Sequence, residues 1–219
     1  MIHLPDQKNW NQFWTRPQSR RFHQASWSKK RIMQVLQPCL TPGKKALDAG
    51  CGSGFFSVYF CDQGMQTVAL DYSDAALRAT QAATGGRVQT VQADMLQENL
   101  TARLPGRFDL IFSDGLLEHF LPKDQERILQ QWKGLLTPAG YIVTFVPNRW
   151  SPWELIRPFF MPGIAEMPFV LDELVDLHER NGLRIVEKGG INTLPFRFSP
   201  DKWLAEQFGM LLYIVARKK

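Results

Sequence analysis

Cysteine is scarce: Cys39, Cys51 and Cys61 are the only three in 219 residues, and no Cys-x-x-Cys pair occurs. An odd number without paired spacing excludes a disulfide framework and a zinc site, so all three are expected to be reduced, none to be a nucleophile, and no metal site is expected. Long apolar runs are missing too. The most apolar stretch, 210–216, has the length of a strand, far short of the ~18 residues that a membrane helix needs, so no integral membrane segment is expected. The start, Met1-Ile2-His3-Leu4-Pro5-Asp6, runs into charged and polar residues and lacks the apolar core of a secretory leader. The expected compartment is the cytoplasm. Acids are nearly missing from the N-terminal segment. Through Lys45, nine basic residues stand against Asp6 alone, whereas the remainder carries 17 basic and 20 acidic residues. The net charge of +5 is therefore a property of one segment. Such a segment suits an anionic substrate, a phosphate backbone or an acidic membrane surface, and equally a solvated helix face.

With 44% hydrophobic and 21% charged residues, the composition is that of an ordinary globular chain that can bury a core without staples. From Lys45 onward, short apolar runs alternate with helical patterns. Strands are predicted at 45–48, 67–70, 87–91, 108–112, 141–146, 183–186 and 211–215. Helices are predicted at 55–62, from the Ser73-Asp74 cap to 83, at 122–136 with Ile128, Leu129, Trp132 and Leu135 at helical spacing, and at 171–180. Repeated alternation implies βαβ units, right-handed crossovers and an open, doubly wound, mainly parallel α/β sheet. Ligands on such sheets lie at the carboxyl ends of the strands, near the point where strand order reverses. Three segments escape the alternation: 1–43, with Trp10, Trp14 and Trp27; 147–170, aromatic and broken by five prolines; and 191–208, with Phe196, Phe198, Trp203 and Phe208. The expected organisation is an N-terminal cap over 1–43 and a ligand-binding domain over 44–219 with a lid near 147–170.

The stretch Asp48-Ala49-Gly50-Cys51-Gly52-Ser53-Gly54 follows a strand and opens a helix, the context of a nucleotide-type loop. Glycine there permits positive φ and close approach of a ligand to the backbone. A dinucleotide loop wants a third small residue where this chain has Phe55, and no Gly-Lys-Ser/Thr follows, so a Walker loop is excluded. Asp48 would repel a pyrophosphate but suits a cation such as an amino-acid ammonium or a sulfonium. Asp71, at the end of the second strand and followed by Tyr72, can accept hydrogen bonds from both ribose hydroxyls, each worth roughly 1.5–3 kcal/mol. After the third strand, Asp94 can accept from an adenine amino group and Met95 can flank the ring.

Together these residues resemble the class I S-adenosylmethionine-dependent methyltransferases, the small-molecule group in particular, over roughly 45–146. The resemblance implies that Asp48, Gly50, Cys51 and Gly52 hold the methionine portion of the cofactor, that Asp71 with Tyr72 holds the ribose, and that Asp94 with Met95 holds the adenine. The stretch 108–119, with Ser113 as a further cofactor contact, looks like the family's fourth motif, and 135–141 looks like the helix-to-strand turn that follows it. The family also implies a seventh, antiparallel last strand. The tetrapeptide Asn/Asp-Pro-Pro-Tyr/Phe/Trp of many amino-methylating enzymes is replaced by Ser113-Asp114-Gly115-Leu116, which points away from nucleobase amines and towards oxygen or carbon acceptors.

Methyl transfer from a sulfonium is an in-line displacement in which the protein supplies binding, alignment and electrostatics. A hydroxyl acceptor also calls for a general base, for which His119 and Glu118 are the candidates; the resemblance also implies the alternative that this Glu-His pair only packs against the sheet. His178 is expected at the surface. Trp150, Trp153, Phe159 and Phe160 suggest walls for an apolar or aromatic acceptor, and Arg16, Arg20, Arg21, Arg149 and Arg157 a grip for an acidic group on it. The expected partner is thus a small molecule. Two other readings are an RNA methyltransferase gripping phosphates with the basic segment and a non-catalytic cofactor-binding protein. Nucleic acid is the less expected partner because no RNA-binding module is visible.

Overall fold

The computed structural model describes residues 6–219; the first five residues of the expected cap lie outside the described residues. Seven strands form one sheet in the order β3-β2-β1-β4-β5-β7-β6. They are β1 (Lys45–Ala49), β2 (Gln66–Asp71), β3 (Gln89–Gln92), β4 (Phe108–Asp114), β5 (Leu136–Pro147), β6 (Leu183–Ile191) and β7 (Leu211–Lys218). The first five pair in parallel, and β7 slots antiparallel between β5 and β6, as the resemblance implied. Strand order reverses between β1 and β4, which opens a crevice at their carboxyl ends.

Helices cover both faces. They are α1 (Gln7–Thr15), α2 (Trp27–Leu36), α3 (Phe55–Asp62), α4 (Asp74–Thr84), the single turn α5 (Leu100–Arg103), α6 (Pro122–Leu135), α7 (Trp153–Phe160), α8 (Leu171–Arg180) and α9 (Asp201–Phe208). Alternation along the strands splits the core in two. On one face Leu47, Leu70, Ile111 and Ile142 pack with Leu129 and Trp132 of α6, and on the other Phe112, Val143 and Phe145 pack with Phe56 and Phe60 of α3. Ile32 and Leu36 of α2 enter this second cluster, so the N-terminal segment is anchored in the main core rather than draped over it. Local chemistry sets the helix starts: Asp6, Ser26 and Ser73 accept from backbone N–H groups of Asn9, Lys29 and Ala76 at the starts of α1, α2 and α4.

Two local expectations change. The Thr137–Gly140 stretch expected as a loop already lies in β5, which starts directly after α6, and the strand absorbs it through a register shift against β4. His178, expected at the surface, is fully buried. Its Nδ1–H donates to Leu174 O at 2.8 Å and its Nε2 lies 3.3 Å from the Thr144 hydroxyl. The spacing of Leu174, Leu177 and His178 is that of one buried helix face, and the charged Glu179 and Arg180 that follow belong to the other side. Burial holds the His178 imidazole neutral, with its pKa lowered to about 4.

Candidate active site

A cavity of about 1250 Å³ lies at the carboxyl ends of β1, β2 and β4. Its floor is the loop after β1. There Gly52 has φ +50°, and a Cβ on it would stand 2.4 Å from Cζ2 of Trp14. A side chain at that position would displace the indole as well as strain the backbone. Gly54, at φ +75°, packs equally tightly against the backbone of Thr80 in α4.

Three acids face this floor from the ends of successive strands. Asp48 accepts a 2.6 Å hydrogen bond from the Ser57 hydroxyl. Burial, reinforced by Asp71 and Asp114, pushes its carboxyl up to about 7. Asp71 accepts from the backbone N–H of Gly52 at 3.1 Å and of Ser73 at 2.9 Å. It therefore ties the glycine loop to the start of α4, and burial against these donors leaves its pKa at about 6. Asp94 lines the cavity with one oxygen held by Leu96 N–H at 2.8 Å, which fixes the turn and puts the buried Met95 beside it. Tyr72 and Cys51 line the same space. Burial, chiefly, raises the Cys51 thiol well above its ordinary range, which suits a packing residue and not a nucleophile.

Ser113 is not brought to the cavity. It is fully buried, and its hydroxyl has no hydrogen-bond partner among the described residues. Phe112 and Asp114 line the cavity instead. The cause is strand periodicity: β4 pairs with β1 through Asp48 and Phe112, so the cavity-facing positions are 112 and 114. Asp114 was missed by sequence reasoning, although counting in twos from Phe112 would have found it. Burial pushes its carboxyl up to about 6 against the pull of Lys29.

The N-terminal segment forms the roof. Gln7 donates to Tyr72 O at 2.6 Å, Asn11 accepts from the Ser73 hydroxyl at 2.7 Å, and the Ser53 hydroxyl donates to Phe22 O at 2.8 Å. Trp10, Phe13, Trp14 and Phe22 turn their rings inwards. The basic residues of this segment are dispersed. Lys29 is half-buried over the Phe55 ring, Arg31 pairs with Asp201 at 3.0 Å, and Arg16 reaches Pro162 O at 3.4 Å.

The lid side is acidic. His119 is buried, and its Nδ1–H donates to Ala165 O at 3.0 Å. A carbonyl can only accept, so Nε2 carries the lone pair, and it lies 3.7 Å from Glu118 Oε1. Burial lowers the His119 pKa to about 4. Arg157 of α7 is bound by Glu166 at 2.8 Å and Glu154 at 3.3 Å, and Arg149 by Glu173 at 2.6 Å. Of the arginines expected to grip an acidic acceptor, Arg21 and Arg157 line the cavity, and Arg157 is already bound by two carboxylates there. Of the expected aromatic walls, Trp153 lines the cavity. Trp150 and Phe159 are 65% and 84% exposed, and the side chain of Phe160 lies outside the described residues. No described helix is long and apolar enough to cross a membrane.

Residues 47–144 match the family described as Methyltransferase domain. The chain is 34% identical over 122 residues to a ubiquinone biosynthesis O-methyltransferase of Azotobacter vinelandii, covering 54% of this chain and 51% of that one. It is 29% identical over 176 residues to an uncharacterized methyltransferase of Synechocystis, covering 77% and 76%. The chain thus spans about half the length of the ubiquinone-biosynthesis relatives it matches. Its fold is that of the magnesium protoporphyrin IX methyltransferase of Synechocystis, solved with bound S-adenosylmethionine, at a TM-score of 0.67, 14% identity and full coverage of both chains.

Proposed function

We propose that the protein transfers the methyl group of S-adenosylmethionine to a small-molecule acceptor held beneath the N-terminal segment, a reading supported by the match of residues 47–144 to the methyltransferase-domain family and by the fold shared with S-adenosylmethionine-bound methyltransferases. The observation that carries this reading is the convergence of Asp48, Asp71 and Asp94, from the ends of β1, β2 and β3, on one glycine-floored cavity. Two of the three have pKa values raised by burial, to about 7 and about 6. Such a set of acceptors fits a ligand that brings positive charge and hydroxyl groups. When bound, the cofactor supplies the activated methyl on its sulfonium. Gly50, Cys51 and Gly52 offer it backbone, Asp48 meets the ammonium of its methionine portion, Asp71 and Tyr72 meet the ribose, and Asp94 and Met95 meet the adenine. Ser113 drops out of this set and Asp114 takes its place.

In this reading 44–219 is the catalytic unit, 1–43 the roof that excludes water, and 147–170 the wall on the acceptor side. His119, held neutral down to about pH 4, aligns and encloses the acceptor and is a weak base. Titration calorimetry with S-adenosylmethionine and S-adenosylhomocysteine tests the assignment. Micromolar binding of both is expected, and failure of both to bind below millimolar concentration overturns it.

A further inference from the structure

Three carboxylates stand together at the acceptor end of the cavity, two of them around a single guanidinium. The side chains of Glu118 and Glu166 are 3% and 4% exposed, and Glu154 joins them from α7. Arg157 is bound to Glu166 and Glu154. Nothing pairs with Oε2 of Glu118 among the described residues. One ligating atom each from Glu118, His119 and Glu166 lie within 4.8 Å of one another. Asp114 adds further repulsion to Glu118. An unpartnered buried carboxylate is expensive, and a cation seated against it recovers much of that cost. Burial, with repulsion from Glu166, raises Glu118 well above the carboxylate range, and Glu166 sits at about 7; both directions are those of a site short of positive charge.

The surroundings select the kind of cation. Trp10 packs edge-to-face on His119 with ring centroids 4.9 Å apart, and Trp10, Trp153 and Met161 line the same end. A divalent ion here would lie against Arg157, which already occupies Glu166, and His119 has only its Nε2 to give. An ammonium carries a single charge, three N–H donors to divide between two carboxylates, and a stem that rings can cover. We infer that this end of the cavity receives positive charge on the methyl acceptor: the acceptor is an amine on an aromatic or apolar stem, docked as its ammonium between Glu118 and Glu166 with the stem against Trp10 and Trp153; Glu166 takes the ammonium's proton, and the freed nitrogen lone pair bonds the methyl carbon as the methyl–sulfur bond breaks and S-adenosylhomocysteine leaves. This inference rests on the methyl-transfer reading and reverses both the acidic acceptor and the oxygen or carbon acceptor expected from the sequence. It is compatible with the missing amino-methylating tetrapeptide, which concerns planar nucleobase and amide nitrogens and not an alkylammonium.

The test uses the full chain saturated with S-adenosylhomocysteine. Calorimetric titrations compare tryptamine with indole-3-ethanol, and phenethylamine with 2-phenylethanol. Each amine is expected to bind at least tenfold more tightly than its alcohol. E118Q and E166Q are each expected to cut that difference to less than threefold with the affinity for S-adenosylhomocysteine unchanged. Equal binding of amine and alcohol, or binding by neither series, overturns the inference, as does an amine preference that survives in both variants. Micromolar binding of Mg²⁺ or Zn²⁺ that is lost in E118Q assigns the cluster to a divalent ion instead and overturns it too. The comparison in the unmutated protein stands even where a variant fails to fold. Failure to bind S-adenosylhomocysteine in the first place counts against the methyl-transfer reading and not against the acidic subsite.

Discussion

The two ends of the cavity handle buried charge in opposite ways. At the glycine-loop end, each acid is met by neighbours close in the fold: Asp71 by two backbone N–H groups and Asp48 by the Ser57 hydroxyl. At the lid end, Glu154 and Glu166 share Arg157, and one oxygen of the neighbouring Glu118 has no partner among the described residues. The first end is built by the regular edge of the sheet, where backbone donors are in supply at loop and helix starts. The second is built from side chains of a turn and a lid, which can leave charge uncompensated until a ligand arrives. One end is preorganised and the other is completed by what binds there.

The comparison can be broken most sharply at Asp71. Asp71→Ala removes a buried acceptor shared by the loop and by α4, and affinity for S-adenosylmethionine is expected to fall by ten- to about a hundredfold, since hydrogen bonds to charged groups are worth roughly 1.5–3 kcal/mol each. Calorimetry checks it, and unchanged affinity would mean that the loop end does not hold the ribose. Next comes Gly52→Ala, whose methyl would meet Trp14 at a φ of +50°. We expect roughly tenfold weaker cofactor binding and a melting temperature lower by about 2–4 °C, in line with ~1 kcal/mol of strain in a chain of this size. The amine-over-alcohol preference should survive this change if the two ends are independent.

A smaller effect is the pH dependence of cofactor binding. Asp48 has its pKa raised to about 7 and must be ionised to pair with an ammonium. Binding below that pH therefore has to release a proton, and affinity should weaken as pH falls from 8 to 6, by at most tenfold per unit. Asp48→Asn should be weaker throughout and flat over that range, which titrations at several pH values would show. The smallest effect belongs to His119. With its pKa near 4, His119→Gln is expected to leave turnover within about threefold. A hundredfold loss together with a vanished acid limb in the rate profile would instead make it the general base.

Sequence reasoning reached the two ends unequally, for a physical reason. The loop end is local: Asp48, Asp71 and Asp94 each sit at or just past the end of a strand, the glycines between strand and helix carry their own conformational signature, and parallel pairing then brings separate strand ends together. The doubly wound sheet and the starts of α3, α4, α6 and α8 are readable from period and caps for the same reason. The lid end depends on contacts that no spacing encodes. Glu118 and Glu166 meet only because the backbone N–H of Met167 bonds to Glu118 O and Ala165 O accepts from His119. Trp10 and Trp14 gave no periodic hint of where they would dock. Ser113 lies one residue out of phase with the cavity-lining Phe112 and Asp114, which matters on a strand because adjacent side chains face opposite sides. His178 was misjudged from its charged neighbours, when its spacing from Leu174 decided its fate.

The contact between Trp14 and Gly52 has one more consequence. An indole pressed against the floor of a ligand pocket is a native optical probe, because its emission depends on the polarity and motion of what surrounds it. A molecule seated on the glycine loop changes those surroundings whether or not it reacts. The protein should therefore announce occupancy through its own fluorescence, and the difference spectrum between the unmutated chain and Trp14→Phe would isolate that signal from the other six tryptophans.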